Sequence, residues 1–558
     1  MSTDTDKILE PLIEATSLGD LLLLGARTWP DREVLVFPGE RLTYAELARR
    51  ALERARALQG MGIQAGDHVG ILAPNLVEVI ELMFGCALSG AVAVLVNARY
   101  KATELAYVVE NADLRLLFTT RRTAGHVDYV ELLHTALPGL RESADPAALA
   151  LEAAPWLRSV VLMEPAAPAG LVDWEQFRAA AGKISDEQLW RRRGAVELRQ
   201  PCIMMYTSGT TSGPKGCRLT HEMIVRSARE IGRRFRMVAE DRQWNPLPMF
   251  HLSSIMPLLA GMWAGASFFS QVVFDADEAI RIIEAERPTF LYPAFPTIMS
   301  ALVQHPRFTP AIVEQVRLVN NVAPPDQLRR NMKLIPNAVH ISAYGLTEAS
   351  GISCYGGQDE DDETRATTCG RALAGVMLRI VDAETGRPVP PDTPGEMTIK
   401  GFSVFEGYWK SPEKNQEVFD ADGWFHTGDR CAMDAAGRVA YLGRIKDMLK
   451  VGGENVSAVE VESYLCTHPA VLIAQVVGMP DARLTEVPAA FIQVKPGSAC
   501  SEAEIIEFCQ GRIASYKVPR AVRFVTEWPM SSTKIQKHRL REVLLAELAE
   551  PGPGGTPG

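Results

Sequence analysis

Helical and strand-like patterns alternate through the first 200 residues, and this alternation restricts the fold more than any other feature. Tyr44 to Gly62 has apolar residues at helical spacing and ends in two glycines, which are typical helix stop signals. Leu114 to Thr120 is a short apolar run typical of a buried strand. Repeated strand–helix units pack as a mostly parallel sheet covered by helices. We therefore predict an α/β fold.

The pattern changes between Leu378 and Arg444. Short alternating runs are separated there by turn-rich segments such as ETGRPVPPDTPG, which is typical of antiparallel strands. A small β-barrel-like part is therefore predicted, followed by a smaller α+β unit. A chain of 558 residues also exceeds the roughly 250–300 at which one core stops growing, so we expect more than one domain. Residues 142–185, rich in Ala, Pro and Glu, are predicted to be a surface excursion.

Charge and cysteine content narrow the class of protein. The net charge of −10 and the pI of about 5.6 argue against a nucleic-acid-binding face, but they allow a local phosphate pocket. The nine cysteines are scattered without a C-x-x-C pair, which predicts a reducing, cytoplasmic location. The first residues, MSTDTDKILE, are too polar for a signal peptide.

One uncharged stretch, Leu252 to Phe274, is long enough to cross a membrane. Pro257, Gly261 and Gly265 interrupt it, however. We therefore predict a buried helix followed by a strand, and no integral membrane segment.

The segment YTSGTTSGPKG, from Tyr206 to Gly216, has the composition of an anion site. Backbone N–H groups of a glycine-rich turn form a concave site, hydroxyl groups add donors, and Lys215 adds a positive charge. Because it follows an apolar strand, it favours a polyphosphate ligand, with a flexible surface loop as the alternative. The P-loop pattern does not fit, because Pro214 follows Gly213 and Gly216 follows Lys215.

Five segments together resemble, in order, the motifs of the adenylate-forming (ANL) superfamily, which includes fatty-acid–CoA ligases. The resemblance implies an acyl-CoA synthetase that uses ATP, Mg²⁺ and coenzyme A: it forms acyl-AMP with release of pyrophosphate, then transfers the acyl group to coenzyme A. The family alternative is an acyl- or aryl-AMP ligase that loads a carrier protein. The segments are YTSGTTSGPKG, AYGLTEAS (343–350), GWFHTGD (423–429), GRIKDMLKVGGENV (443–456) and PMSSTKIQKHRLRE (529–542).

The resemblance also implies a domain plan. Residues 1–443 would bind AMP and the acyl group, 444–447 would be the hinge, and 448–550 would form a mobile C-terminal domain. Lys446 occupies the hinge position, where backbone rotation lets one small domain serve both half-reactions. The tail at 551–558 is expected to be disordered.

Nucleotide-binding residues follow from the same resemblance. Tyr344 and Gly345 would flank the adenine, Thr347 would donate to the α-phosphate, and Glu348 would hold Mg²⁺. The ribose would be bound by Asp429, with Arg444 on its ribose or phosphate side. The β- and γ-phosphates would be bound by Thr207, Ser208, Gly209, Thr210, Thr211 and Lys215.

Catalytic and thiol-channel residues are implied in the same way. Lys534 would bridge the substrate carboxylate and the α-phosphate, and His251 would be the gate of the acyl pocket. Lys450, Gly452 and Gly453 would line the thiol channel. The sequence departs from the family pattern at Thr533, Ser457, Ala458, Asn321 and Val322.

The acid itself is only partly indicated. No carboxylate near His251 is available to pair a substrate ammonium, and no carrier segment follows Glu550, so we expect a free-standing ligase for an acid other than an α-amino acid. An aliphatic or alicyclic acid is expected, with aryl acids next, and a homodimer is possible. The candidate pocket wall is mostly apolar, with two asparagines that could contact a polar substituent: Met249, His251, Met256, Tyr292, Phe295, Pro296, Asn320, Asn321, Ala343 and Gly345.

Overall fold

A computed structural model describes residues 16–123, 125–207, 213–452, 454–530 and 535–549. The first part of the chain alternates strands and helices as the sequence predicts. The helix that begins at Tyr44 starts with a capping box, in which Thr43 and Glu46 bind each other's backbone N–H groups. The elements are α1 (Leu18–Thr28), β1 (Glu33–Phe37), β2 (Glu40–Thr43), α2 (Tyr44–Gly60), β3 (His68–Ile71), α3 (Val77–Ser89), β4 (Val92–Leu95), α4 (Ala102–Asn111), β5 (Leu114–Thr119), α5 (Tyr129–Ala136), β6 (Ser159–Leu162), α6 (Trp174–Ala179), α7 (Asp186–Gly194) and β7 (Pro201–Thr207).

The second part continues the alternation after a hairpin partner of β7. Its helices are short, and Thr220 and Asp275 cap two of them with side-chain oxygens. The elements are β8 (Lys215–Thr220), α8 (His221–Arg234), β9 (Arg242–Trp244), α9 (Leu252–Met262), β10 (Ser267–Phe269), α10 (Ala276–Glu286), β11 (Phe290–Ala294), α11 (Pro296–Val303), β12 (Leu318–Asn321), α12 (Pro325–Leu334), β13 (Val339–Ile341) and β14 (Ala343–Tyr344).

The last part is rich in antiparallel strands. The elements up to the hinge position are β15 (Cys354–Tyr355), α13 (Asp362–Thr367), β16 (Arg371–Ala372), β17 (Val376–Val381), β18 (Gly395–Gly401), α14 (Pro412–Val418), β19 (Phe425–Met433) and β20 (Val439–Arg444). After it come β21 (Met448–Val451), β22 (Glu454–Ser457), α15 (Ala458–Leu465), β23 (Val471–Asp481), β24 (Thr485–Val494), α16 (Glu502–Cys509), β25 (Ala521–Phe524) and α17 (Lys537–Ala549).

Each of the two large sheets is parallel except for one antiparallel strand pair at one of its edges. One has the order β6-β5-β3-β4-β7-β8, and the other has the order β13-β12-β11-β9-β10-β1-β2. Only the β7–β8 and β1–β2 pairs are antiparallel. The α/β fold class is therefore confirmed, and the buried strands explain the continuous apolar runs in the sequence.

The antiparallel strands predicted after Leu378 are confirmed. Strands β17 to β20 form a four-stranded antiparallel sheet, and β14, β15 and β16 form a small three-stranded one. The C-terminal strands form a separate five-stranded sheet, in which β24 lies at the centre of the pairing. One hydrophobic cluster extends from Leu18 to Val439, and two others lie within residues 449–544.

Residues 142–185 are not only a surface excursion. They contain β6, which is fully buried and pairs in parallel with β5. The prediction was wrong here because the four-residue strand Ser159–Leu162 is too short to stand out beside the polar segments around it. This strand is formed by its tertiary pairing with β5, which cannot be predicted from the local sequence.

The uncharged stretch from Leu252 is a helix and a strand, as predicted. Helix α9 is buried except around Ser253, and β10 joins the seven-stranded sheet between β9 and β1. Among the described residues, no helix is both long enough and apolar enough to cross a membrane.

Candidate active site

The described ends of the glycine- and hydroxyl-rich segment lie on the β7–β8 hairpin. Thr207 and Lys215 form the last backbone pair of this hairpin before the connecting residues. Gly213 adopts a φ of +80°, which favours glycine. A hairpin tip differs from the strand-to-helix turn of P-loop NTPases, which agrees with the missing P-loop pattern. Ser208, Gly209, Thr210 and Thr211 lie outside the described residues.

A second segment, Phe405 to Trp409, holds this hairpin against the rest of the site. Trp409 N–H donates to Gly216 O at 2.8 Å, and Tyr408 forms a bridge with Cys217. The Lys215 ammonium lies 5.3 Å from the centre of the Tyr408 ring, a cation–π contact. The position of Lys215 is therefore set by Tyr408 as well as by its own strand.

Glu348 is a buried carboxylate that contacts Tyr408. It lies on a 3-10 turn, Thr347–Ala349, and is 8% exposed. Tyr408 Oη donates to Glu348 Oε1 at 2.8 Å, and Phe405 N–H donates to Glu348 O at 2.9 Å. No described residue hydrogen-bonds to the second carboxylate oxygen, Oε2. A carboxylate held in this way suits Mg²⁺, which takes few protein carboxylates and keeps phosphate and water ligands.

The turn that carries Thr347 and Glu348 depends on Gly345. A Cβ atom at Gly345 would lie 2.0 Å from Gly351 O, so a side chain there would collide with backbone. Thr347 is half-buried on the same turn. The glycine thus allows the segment to fold back on itself, and Gly351 N–H donates to Leu346 O at 2.9 Å across this turn.

Asp429 links two of the predicted nucleotide residues. It is 2% exposed and accepts a 2.5 Å hydrogen bond from Tyr344 Oη. Its other oxygen lies 2.8 Å from Arg444 Nε, directly across the β19–β20 pair. Burial and the nearby Asp429 raise the pKa of Tyr344 well above its ordinary value, so the phenol stays a donor. Burial is the largest single effect and would lower the pKa of Arg444, but Asp429, together with Tyr441, Tyr344 and Glu348, more than offsets it, so that pKa is raised.

Lys446 joins this cluster from the turn Ile445–Asp447, between β20 and β21. Burial lowers its pKa; Asp447 opposes this shift, and Arg444 and Lys215 add to it. Burial also lowers the pKa of Lys215, helped by Lys414. Two lysines and an arginine with interacting charges in one region would be stabilised by a bound polyanion.

His251, the predicted gate of the acyl pocket, is the residue directly before α9. Its ring is half-buried and lies 4.8 Å from the Phe250 ring. The first turn of α9 contacts the loop that follows Glu348, since a Cβ at Gly351 would lie 2.8 Å from Leu252 Cβ. The apolar helix and the predicted nucleotide-binding residues therefore meet at this loop.

Other predicted residues are not part of this cluster. Lys450 is exposed on β21, where its N–H donates to Glu486 Oε1 at 2.6 Å. Gly452 is exposed in a turn with a φ of +59°, beside Leu484. Gly453 and Lys534 lie outside the described residues.

Family models and curated relatives match most of this chain. The model for AMP-binding enzymes matches residues 24–409, and the model for the AMP-binding enzyme C-terminal domain matches residues 460–534. The chain belongs to the AMP-binding enzyme family. It is 34% identical over 538 residues to the putative acyl-CoA synthetase YngI of Bacillus subtilis, covering 95% of this chain and 97% of the relative. It is 33% identical to the mitochondrial medium-chain acyl-CoA ligase ACSF2 of Rattus norvegicus, covering 94% and 87%.

Solved structures also match nearly the whole chain. ATP-bound MatB from Rhodopseudomonas palustris is 26% identical with a TM-score of 0.78, covering 95% of this chain and 99% of that one. The anthranilate CoA ligase AuaEII in complex with anthranoyl-AMP is 27% identical with a TM-score of 0.84, covering 96% and 98%. This AMP-binding enzyme is thus an AMP-forming acid–thiol ligase, an acyl-CoA synthetase that uses ATP, Mg²⁺ and coenzyme A.

Sequence reasoning missed two aromatic residues of this AMP-binding enzyme. Tyr408 connects Glu348 to the hairpin, and the Tyr441 ring lies 5.9 Å from the Tyr344 ring. The only local signal for the first was a Gly-Tyr-Trp run in a loop, in which Gly407 has a φ of +133°. Loop aromatics are a functional hint, but their partners become visible only after folding.

Proposed function

We propose that this enzyme activates an aliphatic or alicyclic carboxylic acid of medium length, with aryl acids as poorer substrates. The observation that carries the proposal is the contact of α9 with the loop after Glu348, which places an apolar helix directly beside the nucleotide cluster. Met249, Met256 and Tyr292 on the expected acyl side are each no more than 2% exposed. The named activity of the medium-chain ligase relatives supports the same choice.

In the first half-reaction, a carboxylate oxygen of the acid attacks the α-phosphorus of ATP, and the bond to pyrophosphate breaks. Thr347 donates to the α-phosphate, while Thr207, Lys215 and the hairpin residues between them bind the leaving pyrophosphate. Lys534 bridges the attacking carboxylate and the α-phosphate. Magnesium, when bound, neutralises phosphate oxygens, and Glu348 is the residue that would hold it.

Asp429 and Arg444 hold the ribose side of the nucleotide, and Tyr344 with Gly345 flanks the adenine. The buried Asp429 is already oriented by Tyr344 and Arg444, so it needs little rearrangement to accept ribose hydroxyls. His251 gates the acyl side, next to the first turn of α9.

In the second half-reaction, the thiol of coenzyme A attacks the acyl carbon and AMP leaves. We propose that residues 1–443 and 448–550 are separate domains, and that 444–447 rotates so that Lys450, Gly452 and Gly453 line the thiol channel. The separate hydrophobic clusters before Val439 and after Leu449 support this division.

A cytoplasmic location and a homodimer complete the proposal. The nine cysteines are all free, and all except Cys500 are buried, which suits a reducing compartment. Exposed Trp156 and Trp190 supply apolar surface for a second copy. Fractionation of cells that express a tagged chain tests the location, and light scattering after size exclusion tests the oligomeric state.

Exchange of labelled pyrophosphate into ATP tests the substrate proposal. Exchange should depend on the acid and be strongest with straight-chain or alicyclic acids of about eight carbons, and AMP should appear only after coenzyme A is added. Weaker exchange with these acids than with benzoate or with acetate would contradict the proposed substrate class.

A further inference from the structure

Four residues form a row along the carboxyl edge of the seven-stranded sheet. Strand register sets Phe290 level with Leu318 and Gln243. Residues two positions further along β9, β12 and β13 share their face, because side chains alternate along a strand. The β11–β12 register shifts after Leu291, but the Tyr292 ring still lies 5.8 Å from the Phe290 ring, on the same side of the sheet. The row on that face consists of Asn245, which directly follows β9, Tyr292 in β11, Asn320 in β12 and Ile341 in β13.

Helix α9, the acyl-side helix, covers this face at β9, and the segment Tyr355–Gly356 covers it at Tyr292 and Ile341. Asn245 Nδ2 donates to Ser253 O in the first turn of α9 at 3.1 Å. At the far end of α9, a Cβ on Gly261 would lie 3.8 Å from Gln243 Oε1. Asn321, by contrast, lies on the opposite face of β12, so the two adjacent asparagines do not serve one pocket.

Asn320 differs from Asn245 in its hydrogen bonding. Asn245 uses both ends of its amide, since its Oδ1 also accepts from Leu247 N–H at 2.9 Å. Asn320 is 1% exposed, and neither its Nδ2 nor its Oδ1 has a hydrogen-bond partner among the described residues. A buried amide with both ends unpaired is unfavourable unless a ligand or water supplies the partner.

Tyr292, the neighbour of Asn320 in the row, adds a second polar group. Tyr292 Oη and Tyr355 Oη are 2.9 Å apart, so one hydroxyl donates to the other and one O–H remains to donate elsewhere. Burial raises the pKa of both phenols, so they remain neutral. None of the four residues of the row is charged, and a charged substituent would therefore lack a counter-ion.

We propose that the acid carries a neutral oxygen substituent, a hydroxyl or an oxo group, that the Asn320 amide binds. This inference rests on the proposed function, because it assigns the substrate of that acyl site. The amide offers both a donor and an acceptor, which suits either group. A site built to hydrogen-bond a substrate rejects the analogue that lacks the group, because its own polar atoms then stay unpaired.

Substrate pairs of equal length test the inference. We would measure kcat/KM for acyl-CoA formation with octanoate and with a positional series of hydroxy- and oxo-octanoates. At least one substituted acid should exceed octanoate by about 10- to 100-fold. Octanoate equal to or better than every substituted acid would overturn the inference while leaving the proposed function intact; no acyl-CoA from any acid would reject the proposed function itself.

Variants locate the effect at one side chain. Asn320→Leu should lower the ratio of kcat/KM for the preferred substituted acid to kcat/KM for octanoate by about 10- to 100-fold. Gln243→Leu is the matched control, since Gln243 is another buried amide on the same face, two positions before the carboxyl edge. It should leave the ratio between the two acids unchanged.

An equal loss for both acids in Asn320→Leu, or the same change of ratio in Gln243→Leu, would overturn the assignment to Asn320. If Asn320→Leu does not fold, Asn320→Ser removes the whole carboxamide and leaves a shorter hydroxyl, with less apolar bulk than leucine. The wild-type series decides the substrate class without either variant.

Discussion

Tyr408 Oη donates a 2.8 Å hydrogen bond to Glu348 Oε1, and the same ring lies under the ammonium of Lys215. Tyr408 thus orients both the carboxylate assigned to Mg²⁺ and the lysine assigned to the phosphates. In the sequence it lies about 60 residues from Glu348 and about 190 residues from Lys215. Burial and the nearby Glu348 raise the pKa of Tyr408, so it remains a donor.

Tyr408→Phe removes this donor and keeps the ring. We expect the Mg²⁺ concentration at half-maximal activity to rise about 5- to 30-fold, because a hydrogen bond to a charged group is worth about 1–2 kcal/mol. Magnesium titration of pyrophosphate exchange measures it. Tyr464→Phe is the control, because it removes a hydroxyl bonded to Phe508 O outside the cluster. Identical magnesium curves for both variants would contradict the role of Tyr408.

Asp429→Asn removes the charge between Tyr344 and Arg444. We expect the rate of adenylation to fall about 100-fold and the free energy of unfolding to fall by about 1–3 kcal/mol, less than for a fully buried pair because Arg444 is partly exposed. Pyrophosphate exchange and chemical denaturation measure the two effects. Asp113→Asn, which breaks an exposed pair with Lys410, should change each much less. Normal adenylation in Asp429→Asn would contradict the ribose role.

Gly345→Ala introduces a Cβ that would lie 2.0 Å from Gly351 O. Because the obstacle is backbone, we expect adenylation to fall sharply and the free energy of unfolding to fall by about 1–3 kcal/mol or more. Gly194→Ala is a suitable control, since nothing lies within 4 Å of its Cβ position. A Gly345→Ala enzyme with normal exchange activity would show that this turn tolerates a side chain.

Acid should destabilise the enzyme through buried histidines. Burial lowers the pKa of His221 from 6.5 to about 4, and its Nδ1 accepts a hydrogen bond from Leu18 N–H, which requires the neutral ring. Burial likewise lowers the pKa of His340 to about 4. The unfolded chain binds more protons than the folded one between these values, so stability is present above pH 6.5 and is lost as the pH falls towards 4, by about 3 kcal/mol for each ring.

Denaturation at a series of pH values measures this loss. His221→Gln should remove about half of the histidine contribution between pH 6.5 and 4, while His126→Gln, at an exposed position, should leave the curve unchanged. An unchanged slope in His221→Gln would contradict the assignment.

Lys534→Ala should separate the two half-reactions. We expect pyrophosphate exchange to fall about 100- to 1,000-fold, as for the loss of one positioned electrostatic group. Thioester formation from supplied acyl-AMP and coenzyme A should continue at the wild-type rate, since the thiol attack does not use this cation. Equal loss in both assays would contradict the role. The exposed Lys450→Ala is the complementary variant, with its larger effect expected on the thioester step.

Much of the fold could be predicted locally. Tyr44–Gly60 is a helix because its own spacing and capping box specify one, and the strands after Leu378 alternate visibly. Strand β6 could not be predicted, because only its pairing with β5 makes four residues a strand. Residue types at the candidate site could likewise be named from motifs, whereas the direct contacts between them could not.

The sequence by itself determined the α/β class, because its strand and helix patterns are local, and it supplied the five ordered motifs, whose resemblance to the adenylate-forming enzymes implied the nucleotide chemistry. Only the tertiary structure decided that Tyr408 connects Glu348 to Lys215, that Asp429 lies between Tyr344 and Arg444, and that Asn320 and Asn321 face opposite sides of β12. These relationships depend on strand register and chain crossing, which bring together residues separated by up to about 190 positions.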